Sequence, residues 1–306
     1  MRHESWTVLA VIVLTSTTSG LQAIGAEGGS SVPDLSGQWG RAYLNLDPPA
    51  TGPGPIQNTM KHPDGTIDDS VFRVGDFKNP LLTPGAAEVL KQNGELSLSG
   101  KSVPDRHNQC WPEPPPFTQS IQFGLEVIQQ KDEVLLLYEA DHNVRHVRMN
   151  AQHPRNLTPT WQGDSVGHYE GDTLVVDTIG IKAGPLATLD RYGTPFSDAL
   201  HVVERYRLID GEAAAEAMRN HRRAYGGSDA PARFDPYGMQ LDVDPKKKGL
   251  QGEITVEDSD SFTTPWTGII TYQPVLTGWP EMACAENLRE ATGPIKDVPV
   301  AEKPDF

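Results

Sequence analysis

The chain has 306 residues, with 41 acidic against 26 basic side chains and a formal net charge of −15. So acidic a protein repels phosphate backbones, and it has no basic patch beyond residues 246–248, so nucleic acid is not an expected partner. The length allows one large domain or two small ones.

Residues 1–26 have the features of a secretory signal peptide. Arg2 and His3 precede an apolar run over residues 6–14, and small residues follow near position 26. The run is shorter than the roughly 20 apolar residues that a spanning helix needs, and no later segment is longer. An uncleaved amphipathic anchor is the alternative. We therefore expect an exported protein, periplasmic or extracellular, without an integral membrane segment in the mature chain.

Residues 27–118 are rich in proline and glycine and show weak periodicity. This composition opposes long strand ladders and favours extended, turn-rich backbone. One short helix is predicted over 84–93, because Thr83 suits the N-cap, Pro84 the first helical position and Gly94 the end. We interpret the segment as an extended cover over the core.

From Ser120 onward the pattern changes to short strands separated by turn residues. Eight strands are predicted, at 121–129, 133–140, 143–149, 165–169, 172–179, 200–209, 250–258 and 267–273. Regular short strands without long helices between them indicate an all-β fold, an antiparallel meander that forms a lipocalin-like barrel. The tightest link is the hairpin turn at Glu170 and Gly171. The barrel domain is predicted over 119–290, followed by a C-terminal tail over 291–306.

A helical excursion interrupts the strands between residues 210 and 249. A helix is predicted over about 211–226, because the segment is rich in helix-forming residues and Gly226 provides a stop. Met218, Arg222 and Tyr225 fall on one face of it, which predicts packing against the barrel.

Strand alternation identifies two carboxylates on apolar faces. Glu204 shares its face with Tyr206, and Asp258 shares its face with Val256. A carboxylate that points into a barrel must be paired or have a raised pKa, so both residues are candidates for acid–base catalysis. The alternative is a structural ion pair, for instance between Glu204 and an arginine.

Three histidines, His142, His146 and His153, follow one another within a short stretch. His142 and His146 share a face if the segment is a strand, and His142 is the candidate for a complementary base. Two histidines with a nearby carboxylate form a possible metal set, but Arg148 on the same face would repel a cation. No metal and no other cofactor is therefore predicted.

The loop that enters the central hairpin carries the candidate binding residues. Trp161 offers an apolar wall with an N–H donor, and Asp164 and Ser165 are predicted to form a rim. The GDSVG spacing matches a nucleophile elbow, but a hairpin follows instead of a helix, so Ser165 is not predicted to be a triad serine. Tyr206 and Trp266, from later strands, complete the predicted binding set.

The chain has two cysteines, Cys110 and Cys284. In an oxidising compartment, a well-separated pair predicts a disulfide, and zinc sites need closer spacing. Closing so long a loop would stabilise the fold by about 4 kcal/mol. Two buried free thiols are the alternative.

Four segments of the chain resemble, in this order, a large family of secreted bacterial proteins without a settled reaction. They are PTWQGDSVGHYEGDTLVVDTIG, GTPFSDALHVVERYRLID, ITVEDSDSFTTPWT and MACAENLRE. The first matches the family pattern W-x-G-x-S-x-G-x-[WY]-E-G-D-T-L-V-V-D-T. The resemblance spans about half of the chain and singles out, among other positions, Trp161, Ser165, Asp177, Glu204 and Asp258. Phe196 departs from the family, which often has histidine there.

These observations predict an exported barrel enzyme that performs acid–base chemistry, of the isomerase, lyase or hydrolase type, on a small and partly apolar molecule. Glu204, Asp258 and His142 are the predicted catalytic residues. The alternative is a non-catalytic, lipocalin-like carrier of a hydrophobic ligand. A third interpretation is an interaction module of the cell envelope that uses the proline-rich segment.

Overall fold

A computed structural model describes residues 32–121, 123–139, 143–184 and 186–279 of the chain. The predicted signal peptide, the C-terminal tail, His142 and Cys284 lie outside the described residues. Within them, the prediction of an all-β barrel is confirmed, because nine strands close into a single barrel.

All eight predicted strands are present, and the structure adds one more. The strands are β1 Gly37–Gly40, β2 Gly124–Gln129, β3 Glu133–Tyr138, β4 Val144–Met149, β5 Asp164–Glu170, β6 Thr173–Ile179, β7 His201–Ile209, β8 Gly249–Glu257 and β9 Trp266–Pro274. Strand β1 was missed because its four residues, GQWG, include two glycines and show no alternation.

The barrel is not a pure antiparallel meander, because β4 and β5 pair in parallel. In a closed ring with only antiparallel neighbours the number of strands must be even. One parallel pair lets nine strands close, with β1 antiparallel to both β2 and β9. The parallel pairing needs a connection that runs back along the barrel, and residues 150–163 supply it. The β4–β5 ladder covers only three residue pairs.

Among the described residues, three α-helices accompany the barrel: α1 Pro84–Leu98, α2 Phe117–Ile121 and α3 Gly211–Ala224. Helix α1 begins as predicted, with the side chain of Thr83 accepting a hydrogen bond from the backbone of Ala86. It continues past Gly94, whose missing side chain lets the helix pack against Val74. Helix α3 packs on β8 and β9, as its apolar face predicted. None of the described helices combines the length and apolar character that crossing a membrane requires.

The proline-rich segment contributes to the hydrophobic core as well as covering it. Its buried side chains belong to the same apolar cluster as those of the barrel: Leu35, Trp39, Leu46, Ile56, Leu81, Leu82, Ala86 and Leu90. Together with β1, they make residues 32–118 an integral part of the barrel fold.

Candidate functional site

Glu204 lies inside the barrel, where alternation placed it, and it is fully paired. Its carboxylate forms a two-pronged ion pair with Arg145, with Nη2–Oε2 and Nη1–Oε1 distances of 2.6 and 3.1 Å. Both side chains are completely buried. Tyr206 donates its hydroxyl to Oε1 at 2.7 Å, and Gln119 of helix α2 donates its amide to the same oxygen. The charge of the carboxylate is therefore matched by Arg145, and Oε1 accepts hydrogen bonds from three side chains.

Electrostatics stabilise the charges of this interior network. Burial acts to lower the pKa of Arg145, but Glu204 together with Tyr138 and Tyr206 outweighs burial, and the pKa of Arg145 is raised. Burial raises the pKa of Tyr138 to about 12, and it also raises the pKa of Tyr206. Glu204 and Arg145 are thus a fixed ion pair, which favours the structural interpretation of Glu204 over a catalytic one.

The predicted rim residues Asp164 and Ser165 lie on opposite sides of the barrel wall. Ser165 points inward, where its hydroxyl contacts Thr178 at 2.9 Å and accepts a hydrogen bond from Arg145 at 3.2 Å. It belongs to the interior network. Asp164 points outward and binds Arg148 through both carboxylate oxygens, at 2.7 and 2.8 Å.

On the outer face, carboxylates and imidazoles alternate in a continuous series of contacts. Asp164 Oδ1 lies 2.6 Å from Nδ1 of His153. The other ring nitrogen of His153 lies 3.1 Å from Asp177 Oδ1, and Nε2 of His201 contacts the same oxygen at 3.1 Å. We call Asp164, His153, Asp177 and His201 the carboxylate–histidine chain. Its side chains are between 19 and 38 % exposed, so they are accessible to a small molecule.

Strand register explains three members of the chain. Asp177 of β6 pairs with Val166 of β5 and with Val203 of β7. Asp164 and His201 stand two residues before those partners, so both are diagonal neighbours of Asp177 on one face. His153 arrives from the returning connection over residues 150–163, which passes beside the start of β5.

A cleft of about 260 Å³ opens beside the carboxylate–histidine chain, where the short parallel ladder leaves β4 and β5 apart. It is lined by Glu133, Val144, Arg145, His146, Arg148, Gln162, Gly163, Asp164 and Ser165. Asp164 and Arg148 reach it from the outer face, and Arg145 and Ser165 reach it from the interior network. Nε of Arg145 has no hydrogen-bond partner within the described part of the chain. Arg145 thus brings to the cleft wall a buried side chain with one donor unused among the described residues.

The chain matches no family model, no curated protein and no solved structure. The resemblance to the secreted bacterial family stays a prediction, and the site must be interpreted from its own geometry.

Trp161 directly precedes Gln162, which lines the cleft, and its ring contacts two cations and another aromatic ring. The guanidinium of Arg106 lies 4.9 Å from its ring centre and the ammonium of Lys182 lies 4.7 Å away. The ring of Trp111 is 5.5 Å distant. These contacts hold the half-buried indole in place at the start of β5.

Two further predicted residues are held within the protein. Trp266 is buried and packs edge-to-face on Phe262, with ring centres 5.8 Å apart. Asp258 is buried and accepts hydrogen bonds from the backbone and hydroxyl of Ser197, at 2.6 and 2.8 Å, and from the backbone of Asp260. Asp258 thus fixes the turn after β8, and these contacts favour a structural role for both residues.

His146, the predicted neighbour of His142, is exposed and contacts Glu133 at 2.7 Å. Across the described ranges, no group of three or more His, Cys, Asp or Glu side chains is arranged to hold a metal ion. Cys110 follows a short 3₁₀ turn, and its predicted partner Cys284 is outside the description, so the disulfide stays a prediction.

A second group of acids was missed by sequence reasoning. Glu139 directly follows β3 and is completely buried, and Asp235 of the excursion is also buried. Burial raises the pKa of Glu139 to about 8, and the neighbouring carboxylate of Asp235 adds to the effect. The alternation of side chains over 133–140 places Glu139 on the face of the strand that is opposite the buried one. The local sequence pattern therefore gives no indication that Glu139 is buried.

Proposed function

We propose that the protein is an exported acid–base enzyme, and that it acts on a small, partly apolar molecule bound in the cleft between β4 and β5. The observation that supports this function is the 2.6 Å contact between Asp164, which lines the cleft, and Nδ1 of His153. The reaction would belong to the isomerase, lyase or hydrolase type, in which a proton moves to or from the substrate.

His153 is the proposed general base and acid. Imidazole generally changes charge near neutral pH, which suits proton transfer in both directions. A carboxylate on one ring nitrogen fixes the tautomer and stabilises the imidazolium that forms when the other nitrogen takes a proton. Asp164 occupies that position, and Nε2 of His153 contacts Asp177 Oδ1 at 3.1 Å, so a substrate would have to replace Asp177 at this nitrogen before a proton moves.

The cleft would bind the substrate through an apolar surface and a hydrogen-bond donor. Val144 supplies apolar surface, and Nε of the buried Arg145 is a donor for a carbonyl or carboxylate oxygen. Glu204 contributes indirectly, because its ion pair holds the guanidinium of Arg145 in place. The proton-transfer role thus moves from Glu204 and Asp258 to His153, and Glu204 becomes a positioning residue.

The carrier alternative finds less support inside the barrel. A lipocalin-like carrier needs room among the interior side chains. Here Gln119 of helix α2 reaches the barrel centre and contacts Tyr138, Tyr206 and Glu204. These contacts occupy the place that a hydrophobic ligand would need.

The proposal predicts that His153→Gln slows proton transfer by at least about 100-fold, the lower range for loss of a general base. The measurement is hydrogen–deuterium exchange, followed by NMR, at the carbon beside the carbonyl of a panel of small cyclic and aryl ketones in D₂O. Asp164→Asn should cause a similar loss.

His146→Gln is the matched control, because His146 lines the same cleft and pairs with Glu133 on the exposed face. The His146→Gln variant should accelerate hydrogen–deuterium exchange of the ketones as much as the unaltered protein does. The proposal is wrong if the protein does not accelerate exchange above buffer, or if His153→Gln and His146→Gln behave alike.

A further inference from the structure

A second cavity, of about 220 Å³, lies beside helix α3 and shares no lining residue with the cleft. Its walls are mainly apolar and come from helix α3, from the segment after β1 and from the excursion. The principal apolar residues are Ala42, Ala215, Met218, Leu241 and Val243. Such a cavity, closed on one side by a polar group, is typical of a small-molecule site.

The polar group is Arg222 of helix α3. It is only 7 % exposed, and its Nη2 donates to the backbone carbonyl of Asp229 at 3.0 Å. Its Nε has no hydrogen-bond partner among the described residues. Arg222 helps to lower the pKa of the nearby Asp229 carboxyl, but the direct ion pair of that carboxylate is with Arg223. A buried cation without a direct ion pair is costly, which favours an anionic ligand beside it.

The other charged side chains around this cavity already have partners. Arg219 binds Glu216 at 2.9 Å, and the carboxylate of Asp229 binds Arg223 at 2.8 Å. Arg222 is therefore the lining cation that shares the charge of Asp229 with Arg223 and has no direct ion pair of its own among the described residues.

We propose that this cavity binds a small carboxylic acid with an apolar body, such as a short fatty acid. The carboxylate would accept hydrogen bonds from Arg222, and the hydrocarbon would lie against Met218, Leu241 and Val243. An apolar cavity of about 150 Å³ holds benzene, so about 220 Å³ has room for roughly nine heavy atoms. The thioether of Met218 adapts to ligands of varied shape. This binding is independent of the proposed enzymatic function.

Calorimetric titration with hexanoate, hexanol and hexylamine tests the site. Hexanoate is expected to bind in a 1:1 complex, hexanol more weakly, and hexylamine not measurably. Arg222→Gln should weaken hexanoate binding at least about tenfold, because a hydrogen bond to a charged group is lost, and should leave hexanol binding unchanged. Arg207→Gln is the control, because Arg207 is an exposed arginine of β7 that does not line the cavity.

A variant that fills the cavity with a larger side chain provides a second test if Arg222→Gln does not fold. Ala215→Phe should abolish hexanoate binding, whereas Ala213→Phe, at an exposed position of the same helix, should not affect it. The proposal is overturned if hexanoate does not bind, if hexylamine binds equally well, or if Ala215→Phe leaves binding unchanged.

Discussion

Replacing Glu204 with leucine is expected to lower the free energy of unfolding by about 3 to 5 kcal/mol, the usual cost of breaking a buried ion pair by removing one partner. The guanidinium of Arg145 would remain completely buried without its counter-ion. Tyr206 and Gln119 would lose their shared acceptor as well. Urea unfolding followed by circular dichroism measures the loss.

The double variant Arg145→Met with Glu204→Leu distinguishes charge burial from loss of packing. It should recover at least about half of the lost stability, because an apolar pair can replace a buried ion pair at little cost. Glu170→Gln is the control, since Glu170 pairs with Arg205 on the exposed surface, and it should hardly move the unfolding midpoint. Equal stability of the single and double variants would refute the assignment of Glu204 and Arg145 as a fixed ion pair.

The second prediction with a large expected effect is the pH dependence of the free energy of unfolding. The pKa of Glu139 is raised by burial and by Asp235 from its ordinary 4.5 to about 8, so the folded protein binds this proton more tightly than the unfolded chain does. The resulting stabilisation is complete below about pH 4.5 and is lost as the pH rises through about 8. One pKa unit corresponds to about 1.4 kcal/mol, so we expect a loss on the order of 3 kcal/mol after solvent screening is allowed for.

Glu139→Gln should remove this pH dependence, because glutamine stays neutral. Unfolding free energies measured from pH 5 to pH 9 should decline for the unaltered protein and decline less steeply for the variant. Glu253→Gln, at an exposed position of β8, is the control and should follow the unaltered protein. Parallel curves for the unaltered protein and Glu139→Gln would show that Glu139 does not hold its proton near neutral pH.

The strands were predictable because alternation is a local property. Turn residues separate β2 to β9, and β8, for example, repeats apolar and polar residues with a period of two. The same period placed Glu204 inside the barrel, whereas Asp164 and Ser165, which were predicted to form one rim, lie on opposite sides of the wall. The parallel pairing of β4 and β5 was not predictable, because it depends on the path of residues 150–163.

The sequence by itself determined the fold class, the positions of eight of the nine described strands and the inward orientation of Glu204. Only the tertiary structure decided the partners. Arg145 meets Glu204 because barrel closure brings β4 opposite β7, and His153 meets Asp164 because the returning connection passes beside β5. The physical reason is that alternation acts over neighbouring residues, whereas distances between strands are set by barrel closure and by the register of every strand between them.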